Sequence, residues 1–213
     1  MRIKAFVTRE IFMAFYNELN DHTNFFISFS NAPRYDFAVF AKGYKFAANL
    51  IAEELIESYN FPYYQAYPVV FLYRHALELQ LKSIIYGVAK LLFFKDIEDI
   101  DNKLYNHHDL SKLSEKAYHV ITQAFPDDVT LQKLLEKVVR VAKDFSEIDP
   151  NSFAYRYPIN KNGEHSTQRN QFVNLRSLAT HMDNLLSELE VIEFGLNVET
   201  DLAQEVYEIL ESL

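Results

Sequence analysis

One stretch of the sequence concentrates side chains that could bind an anion. Arg74, His75, Glu78 and Lys82 fall within one arc of about 100° if residues 67–93 form an α-helix. Arg and Lys recognise phosphate or carboxylate groups through charge-assisted hydrogen bonds. The pattern therefore predicts an anion-accepting groove lined by the three basic side chains and oriented by Glu78.

An internal ion-pair network is the alternative for the same residues. Arg74 and Glu78 are four residues apart, as are Glu78 and Lys82, so both pairs can form within one helix. Such a network is expected if the helix is central in a bundle, because unpaired buried charges are costly. Apolar residues on both flanks favour that central position: Val70, Leu77, Leu81, Ile84 and Val88 on one side, and Leu72, Ala76 and Leu79 on the other.

The next helix is predicted to follow His107-His108-Asp109, with Asp109 as its N-cap. Adjacent residues on regular structure do not converge on one ion, and no second pair of ligands occurs at zinc-like spacing. We therefore predict no metal site and no cofactor. His108 and Asp109 are assigned instead to the ligand-binding set.

Residues 149–170 interrupt the helical pattern. Aromatic residues alternate with other types over residues 153–157, which is strand periodicity, and Asn162-Gly163 is a pair preferred in type I′ turns. We predict a β-hairpin or an extended loop inserted between helices.

The same region is locally basic, although the chain carries a net charge of -9. Arg156 and Tyr157 are therefore predicted to contact a phosphate-bearing or nucleotide ligand. In the alternative, the aromatic residues pack on the bundle and Arg156 pairs with an acidic helix, such as the one that carries Glu78. Residues 150–181 hold four basic residues against one acidic residue: Arg156, Lys161, Arg169 and Arg176 against Glu164.

Composition favours a helical protein. Only 4 of the 213 residues are Gly and 6 are Pro, fewer than a Rossmann, P-loop or all-β protein needs for its turns. The absence of Cys excludes disulfides, thiolate zinc sites and a cysteine nucleophile. The negative net charge argues against broad nonspecific nucleic-acid binding.

Apolar periodicity predicts an all-α, up-and-down bundle of six to seven helices in a single domain over residues 1–213. We divide it into an N-terminal appendage (1–35), a core (36–194) and a C-terminal helix (195–213). The predicted helices cover about 5–19, 36–58, 67–93, 109–125, 126–145, 172–194 and 199–210.

The longest apolar region does not have the composition of a transmembrane helix. Residues 69–94 include Arg74, His75, Glu78, Lys82 and Lys90. The first residues contain no uninterrupted signal-peptide core. These patterns predict a cytoplasmic protein without a membrane partner.

Three segments together resemble the HEPN superfamily. They are Phe71-Leu-Tyr-Arg-His-Ala-Leu-Glu-Leu-Gln-Leu-Lys82, His108-Asp-Leu-Ser-Lys-Leu113 and the aromatic-Arg-Tyr-Pro loop Ser152–Pro158. The resemblance covers about residues 65–190. It implies a helical bundle that is often dimeric. Relatives include metal-independent RNases of toxin–antitoxin and phage-defence systems and noncatalytic partners of nucleotidyltransferases.

The nuclease members carry Arg-x4-6-His near the final core helix, and the matching residues here are Arg176 and His181. The resemblance implies that His181 would be the general base for attack by a ribose 2′-hydroxyl and that Arg176 would stabilise the pentavalent phosphate. Ser177 stands where nuclease members often have Asn, Asp or His. In a continuous helix the pair lies about 140° apart, so it would need a partner subunit or a helix break to converge. The alternative is that both are exposed helix residues.

Three functions follow. The first is a module that binds a nucleotide or other phosphate, or a protein partner, in a cleft between helix 67–93 and loop 149–170. The second is a metal-independent RNase acting on RNA. The third is a noncatalytic structural or interaction subunit, with a nucleotidyltransferase- or antitoxin-like partner. The content of 14 Tyr and 18 Phe also predicts a homodimer, because one core would not bury them all.

Overall fold

A computed structural model describes residues 33–58, 60–94, 107–149, 152, 154–160, 162–166 and 172–212. This part of the chain is α-helical, as predicted. Its five α-helices are α1 (Pro33–Glu57), α2 (Tyr67–Phe94), α3 (Leu110–Ala124), α4 (Val129–Ile148) and α5 (Leu175–Glu211), and a 3-10 turn, Tyr63–Ala66, precedes α2.

Helix α2 is the central helix of the bundle. It packs against α1, α3 and α5, and 18 of its 28 residues are buried. Both of its predicted apolar flanks lie in the core, including Leu77 and Leu81 on one side and Ala76 on the other. A helix that is apolar almost all round is stable only when neighbours surround it, which explains its position. The polar residues of α2 are consequently enclosed as well.

Three helices begin at side-chain N-caps. Asp109 accepts hydrogen bonds from the backbone of α3, Asp128 from that of α4, and Asn174 from that of α5. Each cap satisfies amide groups that the first turn leaves without a partner. The predicted cap at Asp109 is confirmed.

A polar network joins α1, α2 and α5 on another side. Tyr73 donates to Asn49, which donates to Asp183 at 2.7 Å, and Lys45 forms an ion pair with Glu190 at 3.2 Å. Burial, followed by the nearby Asp183 carboxylate, raises the pKa of Tyr73 to about 12. Tyr73 is therefore a neutral hydrogen-bond donor in this network.

The prediction of separate helices at 172–194 and 199–210 is wrong, because α5 is continuous from Leu175 to Glu211. Gly195 lies between the two predicted helices. Leu196 and Thr200 are nevertheless buried, and their packing outweighs a helix cost of about 1 kcal/mol for one glycine. The described residues thus contain five α-helices rather than six or seven, and the predicted helix over 5–19 lies outside them.

The predicted β-hairpin is also absent from the described residues. Ala154, Tyr155 and Arg156 form a turn rather than a strand, because the carboxylate of Asp149 accepts a hydrogen bond from the Ala154 amide at 3.0 Å. Phe153 lies outside the described residues.

The chain does reverse direction, and among the described residues of this loop one antiparallel bridge forms, Ile159 with His165. Asn162 has no positive φ and Gly163 does, so the predicted type I′ geometry, which needs both, does not occur at this pair. The Asn160 amide donates to the Glu164 carbonyl at 2.8 Å, and the Asn160 side chain accepts from the Asn162 and Glu164 amides. The Ser166 amide also donates to the Pro158 carbonyl at 3.1 Å, so the bridge is short and the Asn160 side chain holds its turn.

In the described part of the chain, no helix is both long enough and apolar enough to cross a membrane.

Candidate functional site

Arg74 is the centre of the polar cluster on α2. Its side chain is 0% exposed, and Nη1 donates to Glu78 Oε2 at 3.2 Å. Nη2 donates to the backbone carbonyls of His108 and Asp149 at 3.0 and 3.2 Å. Nε lies 3.4 Å from Asp149 Oδ2. One guanidinium therefore ties α2 to the start of α3 and to the end of α4.

Glu78 holds several basic groups at once. Its Oε1 accepts from Lys82 Nζ and contacts His108 Nδ1, each at 2.9 Å, and its Oε2 accepts from Arg74. Both Glu78 and Lys82 are almost completely buried, at 1% and 2% exposure. We call Arg74, Glu78, Lys82 and Asp149 the buried network.

The buried network shifts the pKa values of its own members. Burial alone would raise the pKa of Glu78, but the charge and hydrogen bond of Lys82 and the contact with His108 outweigh it, so this pKa is lowered. Burial lowers the pKa of Arg74, and Asp149 and Glu78 oppose that effect. Glu78 is accordingly ionised at neutral pH.

His108 lies at the surface above Glu78, with 58% of its side chain exposed. Because an ionised carboxylate can only accept, Nδ1 of His108 carries the hydrogen in this contact. The other ring nitrogen, Nε2, is then directed away from the carboxylate. Asp109 is occupied by capping: its Oδ1 accepts from the Ser111 amide at 3.0 Å.

His75 is enclosed by aromatic rings at the edge of the same cluster. It stacks on Phe71 at 5.4 Å between ring centroids and meets Tyr44 edge-on at 4.5 Å. Its Nδ1 lies 4.0 Å from Glu78 Oε2. Burial lowers the pKa of His75, Glu78 opposes this, and the cations Lys82, Arg156 and Arg74 lower it further. His75 is therefore a neutral imidazole at pH 7 in a locally positive environment.

Arg156 is exposed but fixed by three contacts. Its Nε donates to the Ser152 carbonyl at 2.6 Å, and its guanidinium lies over the rings of Phe71 and Tyr157, at 5.4 and 5.7 Å from their centroids. Ser152 is buried and has a φ of 61°, an uncommon value for a residue other than glycine. The loop thus uses an unfavourable backbone conformation where it presents a carbonyl to Arg156.

The structure brings most of the predicted binding residues together, but in two layers. Arg74, Glu78 and Lys82 form the ion-pair network that was the alternative to an open groove. Around it lie His75, which is partly exposed, and the exposed residues His108, Arg156 and Tyr157. We call these four residues, together with Phe71, the basic rim.

Arg156 contacts Ser152, Phe71 and Tyr157, and the two oxygens of Glu78 are engaged by Arg74, Lys82 and His108. Asp109 caps α3, and its assignment to the ligand-binding set stays a prediction. Of the loop aromatics that were expected to pack on the bundle, Tyr155 does so and Tyr157 is exposed. Lys161 and Arg169 lie outside the described residues.

Arg176 and His181 do not converge within one chain. They lie on the continuous helix α5, about 140° apart, and both are exposed. His181 Nδ1 donates to the Ser177 carbonyl at 2.7 Å, one turn earlier in the same helix.

Sequence reasoning missed Asp149 and Ser152, which hold Arg74 and Arg156 in place. Asp149 is 75 residues from Arg74, and no local spacing signals such a contact. The pair Asp149-Pro150 indicated where a helix ends, but it did not indicate that the Asp149 carboxylate would contact Arg74.

Among the described residues, no group of three or more His, Asp or Glu side chains is placed to hold a metal ion. No protein-family model matches the sequence, and neither a curated protein nor a solved structure is significantly similar to the chain.

Proposed function

We propose that the protein is a binding module for a phosphate-bearing ligand of the nucleotide class and that the basic rim is its binding surface. Arg156 would contact the phosphate through charge-assisted hydrogen bonds. His108 would present Nε2 to the ligand, and the exposed ring of Tyr157 would offer an aromatic surface to a base.

The observation that carries this proposal is the fixed yet exposed position of Arg156. Three contacts hold its guanidinium in place, so less side-chain entropy is lost when an anion binds. The rings of Phe71 and Tyr157 orient the guanidinium, while the side chain stays exposed to solvent.

The charge at the basic rim also favours an anion. The charges of the buried network balance, with Arg74 and Lys82 against Glu78 and Asp149, and Arg156 adds a positive charge at the surface. This positive charge occurs on a chain with a net charge of -9. It would attract phosphate to this part of an otherwise acidic surface.

Calorimetric titration with ATP, GTP and inorganic pyrophosphate tests the proposal. We expect Arg156→Gln to weaken binding by about tenfold or more, the equivalent of one charge-assisted hydrogen bond. Arg140→Gln, which removes another exposed arginine on α4, is the matched control and is expected to bind as the wild type does.

Two variants of His108 distinguish its role in binding the ligand from its role as a hydrogen-bond donor to Glu78. Asn at this position can still donate toward Glu78 but lacks Nε2, so His108→Asn should keep its stability and lose affinity. His108→Ala should lose both. If none of these phosphates binds the wild type, or if Arg156→Gln binds as the wild type does, the proposal is wrong.

Other predictions from the sequence stand beside this proposal. A HEPN relationship, a nucleotidyltransferase- or antitoxin-like partner, a homodimer and a cytoplasmic location remain predictions.

A metal-independent RNase is the second candidate function, and it would need Arg176 and His181 from two chains. RNA cleavage in EDTA that is lost in Arg176→Ala/His181→Ala would support it. The noncatalytic structural subunit is favoured by the buried network, whose charges are satisfied internally.

A further inference from the structure

Helix α5 has two apolar faces. One face packs in the bundle through Leu189, Leu196 and Thr200, and farther along Tyr207 contacts Phe94 of α2. The opposite face carries six apolar residues that are each 45–72% exposed: Val191, Phe194, Val198, Leu202, Val206 and Ile209. We call these six residues the outer stripe.

The outer stripe is continuous along the helix. Its members recur every three or four residues and fall within about 120° of arc, and the stripe is about 27 Å long. A surface helix of a globular protein ordinarily has one apolar face. Large exposed apolar patches mark interaction sites, and this one has the length of a partner helix of five turns.

Acidic residues border the outer stripe on both sides. Glu188 and Glu199 project on one side, and Glu190, Asp201, Glu205 and Glu208 project on the other, as helical geometry places them. Glu188 and Glu190, at the N-terminal end of the stripe, already form ion pairs with Lys137 and Lys45. After Arg176 the sequence has nine acidic residues and no Lys or Arg. Before that point the 21 basic residues are matched by 21 acidic ones, so the whole net charge of -9 lies in residues 177–213.

This charge determines which occupant fits the outer stripe. A second copy placed on it would bring two acidic borders together, and like charges across an interface are costly. Nucleic acids and anionic membranes are repelled for the same reason. A helix with an apolar face flanked by Lys and Arg would bury the stripe and neutralise its borders.

We propose that the outer stripe of α5 is a docking surface for a basic amphipathic helix of a partner protein. Apolar residues of the partner at helical spacing would pack on Phe194, Val198 and Leu202. Lys and Arg on either side would pair with the bordering carboxylates, including Glu199 and Glu205. The proposal does not depend on the basic rim or on its ligand.

A fluorescent 18-residue helical peptide serves as the probe. It carries Leu along one face and Lys on both borders, and its binding to the full chain is followed by anisotropy. We expect Val198→Gln/Leu202→Gln to weaken binding about tenfold or more, because two apolar contacts are removed. Tyr63→Gln/Tyr64→Gln, which removes two exposed aromatic residues elsewhere, is the matched control and should bind as the wild type does.

Charge is tested separately. Glu199→Gln/Glu205→Gln should weaken binding and reduce its dependence on salt, and a peptide with Glu in place of every Lys should not bind. Circular dichroism checks that the variants fold. Ile209→Gln, at 60% exposure near the helix end, provides a second variant with less effect on folding.

Three results would overturn the proposal. The first is that the wild type does not bind the Lys peptide. The second is that Val198→Gln/Leu202→Gln and Ile209→Gln bind it as the wild type does, which would indicate attraction by charge alone. The third is a self-association of the wild type, measured by sedimentation, that Val198→Gln/Leu202→Gln abolishes, which would assign the outer stripe to a second copy.

Discussion

Glu78 is the carboxylate on which the buried network depends. It balances Lys82 and, together with Asp149, balances Arg74. We expect Glu78→Gln to lower the free energy of unfolding by about 3–5 kcal/mol, because it leaves buried cations without their counter-charge. Urea unfolding at pH 7 measures this loss. Glu115→Gln, which breaks an exposed pair with Lys143, should cost no more than about 1 kcal/mol.

The dependence of stability on pH provides a second readout for the same substitution. Because the pKa of Glu78 is lowered below 4.5 in the folded protein, the unfolded chain takes up a proton first as the pH falls. The stability that Glu78 contributes is complete above pH 4.5 and is lost as the pH falls through the folded-state value. Glu78→Gln should lack this pH-dependent contribution to the free energy of unfolding. Equal losses of stability in wild type and variant between pH 6 and pH 3 would contradict the role of Glu78.

Local spacing at the residue scale was enough to predict the contacts within α2. The four-residue intervals from Arg74 to Glu78 and from Glu78 to Lys82 predicted both ion pairs. The choice between an open groove and a buried network depended on what covers α2, and that is a property of the tertiary structure. Asp149, from a distant part of the chain, contacts Arg74 and helps to enclose it.

At the scale of the element, substitutions of Asp109 distinguish helix capping from ligand binding as the role of the segment before α3. Its carboxylate accepts from the amides of Ser111 and Lys112, so Asp109→Ala should cost about 1 kcal/mol of unfolding free energy. Asp109→Asn should retain most of the stability, because Asn also caps helices. Thermal or urea unfolding of both variants measures the difference. Phosphate titration should show unchanged affinity in Asp109→Asn, and a loss there would return Asp109 to the binding surface.

Helix boundaries were predictable where a cap and a periodic apolar face coincide. The predicted helices over 67–93 and 109–125 match α2 and α3 closely for this reason. The alternating aromatics of loop 149–170 predicted a strand that does not form, because Asp149 and Ser152 bind the following backbone and side chains locally. Alternation indicates a strand only when a second strand is available to pair with it.

At the scale of the whole molecule, two exposed apolar faces in the described part of the chain, one on α1 and one on α5, differ in charge. The outer stripe of α5 lies in a segment of net charge -9, whereas α1 exposes Val39, Phe46 and Leu50 in a segment that also contains Lys42 and Glu53. Mixed charge permits contact between two copies, and a uniform charge opposes it. The homodimer predicted from the aromatic content should therefore form through α1 and not through α5.

Sedimentation velocity over a range of concentrations tests this dimer. We expect Phe46→Gln, which changes a side chain that is 69% exposed, to weaken dimerisation about tenfold and to leave helicity unchanged. Val198→Gln/Leu202→Gln should dimerise as the wild type does, because the outer stripe would face a different partner. A wild type that remains monomeric at high concentration would contradict the dimer. A dimer that is lost only in Val198→Gln/Leu202→Gln would show that apolar burial outweighs the repulsion between two α5 helices.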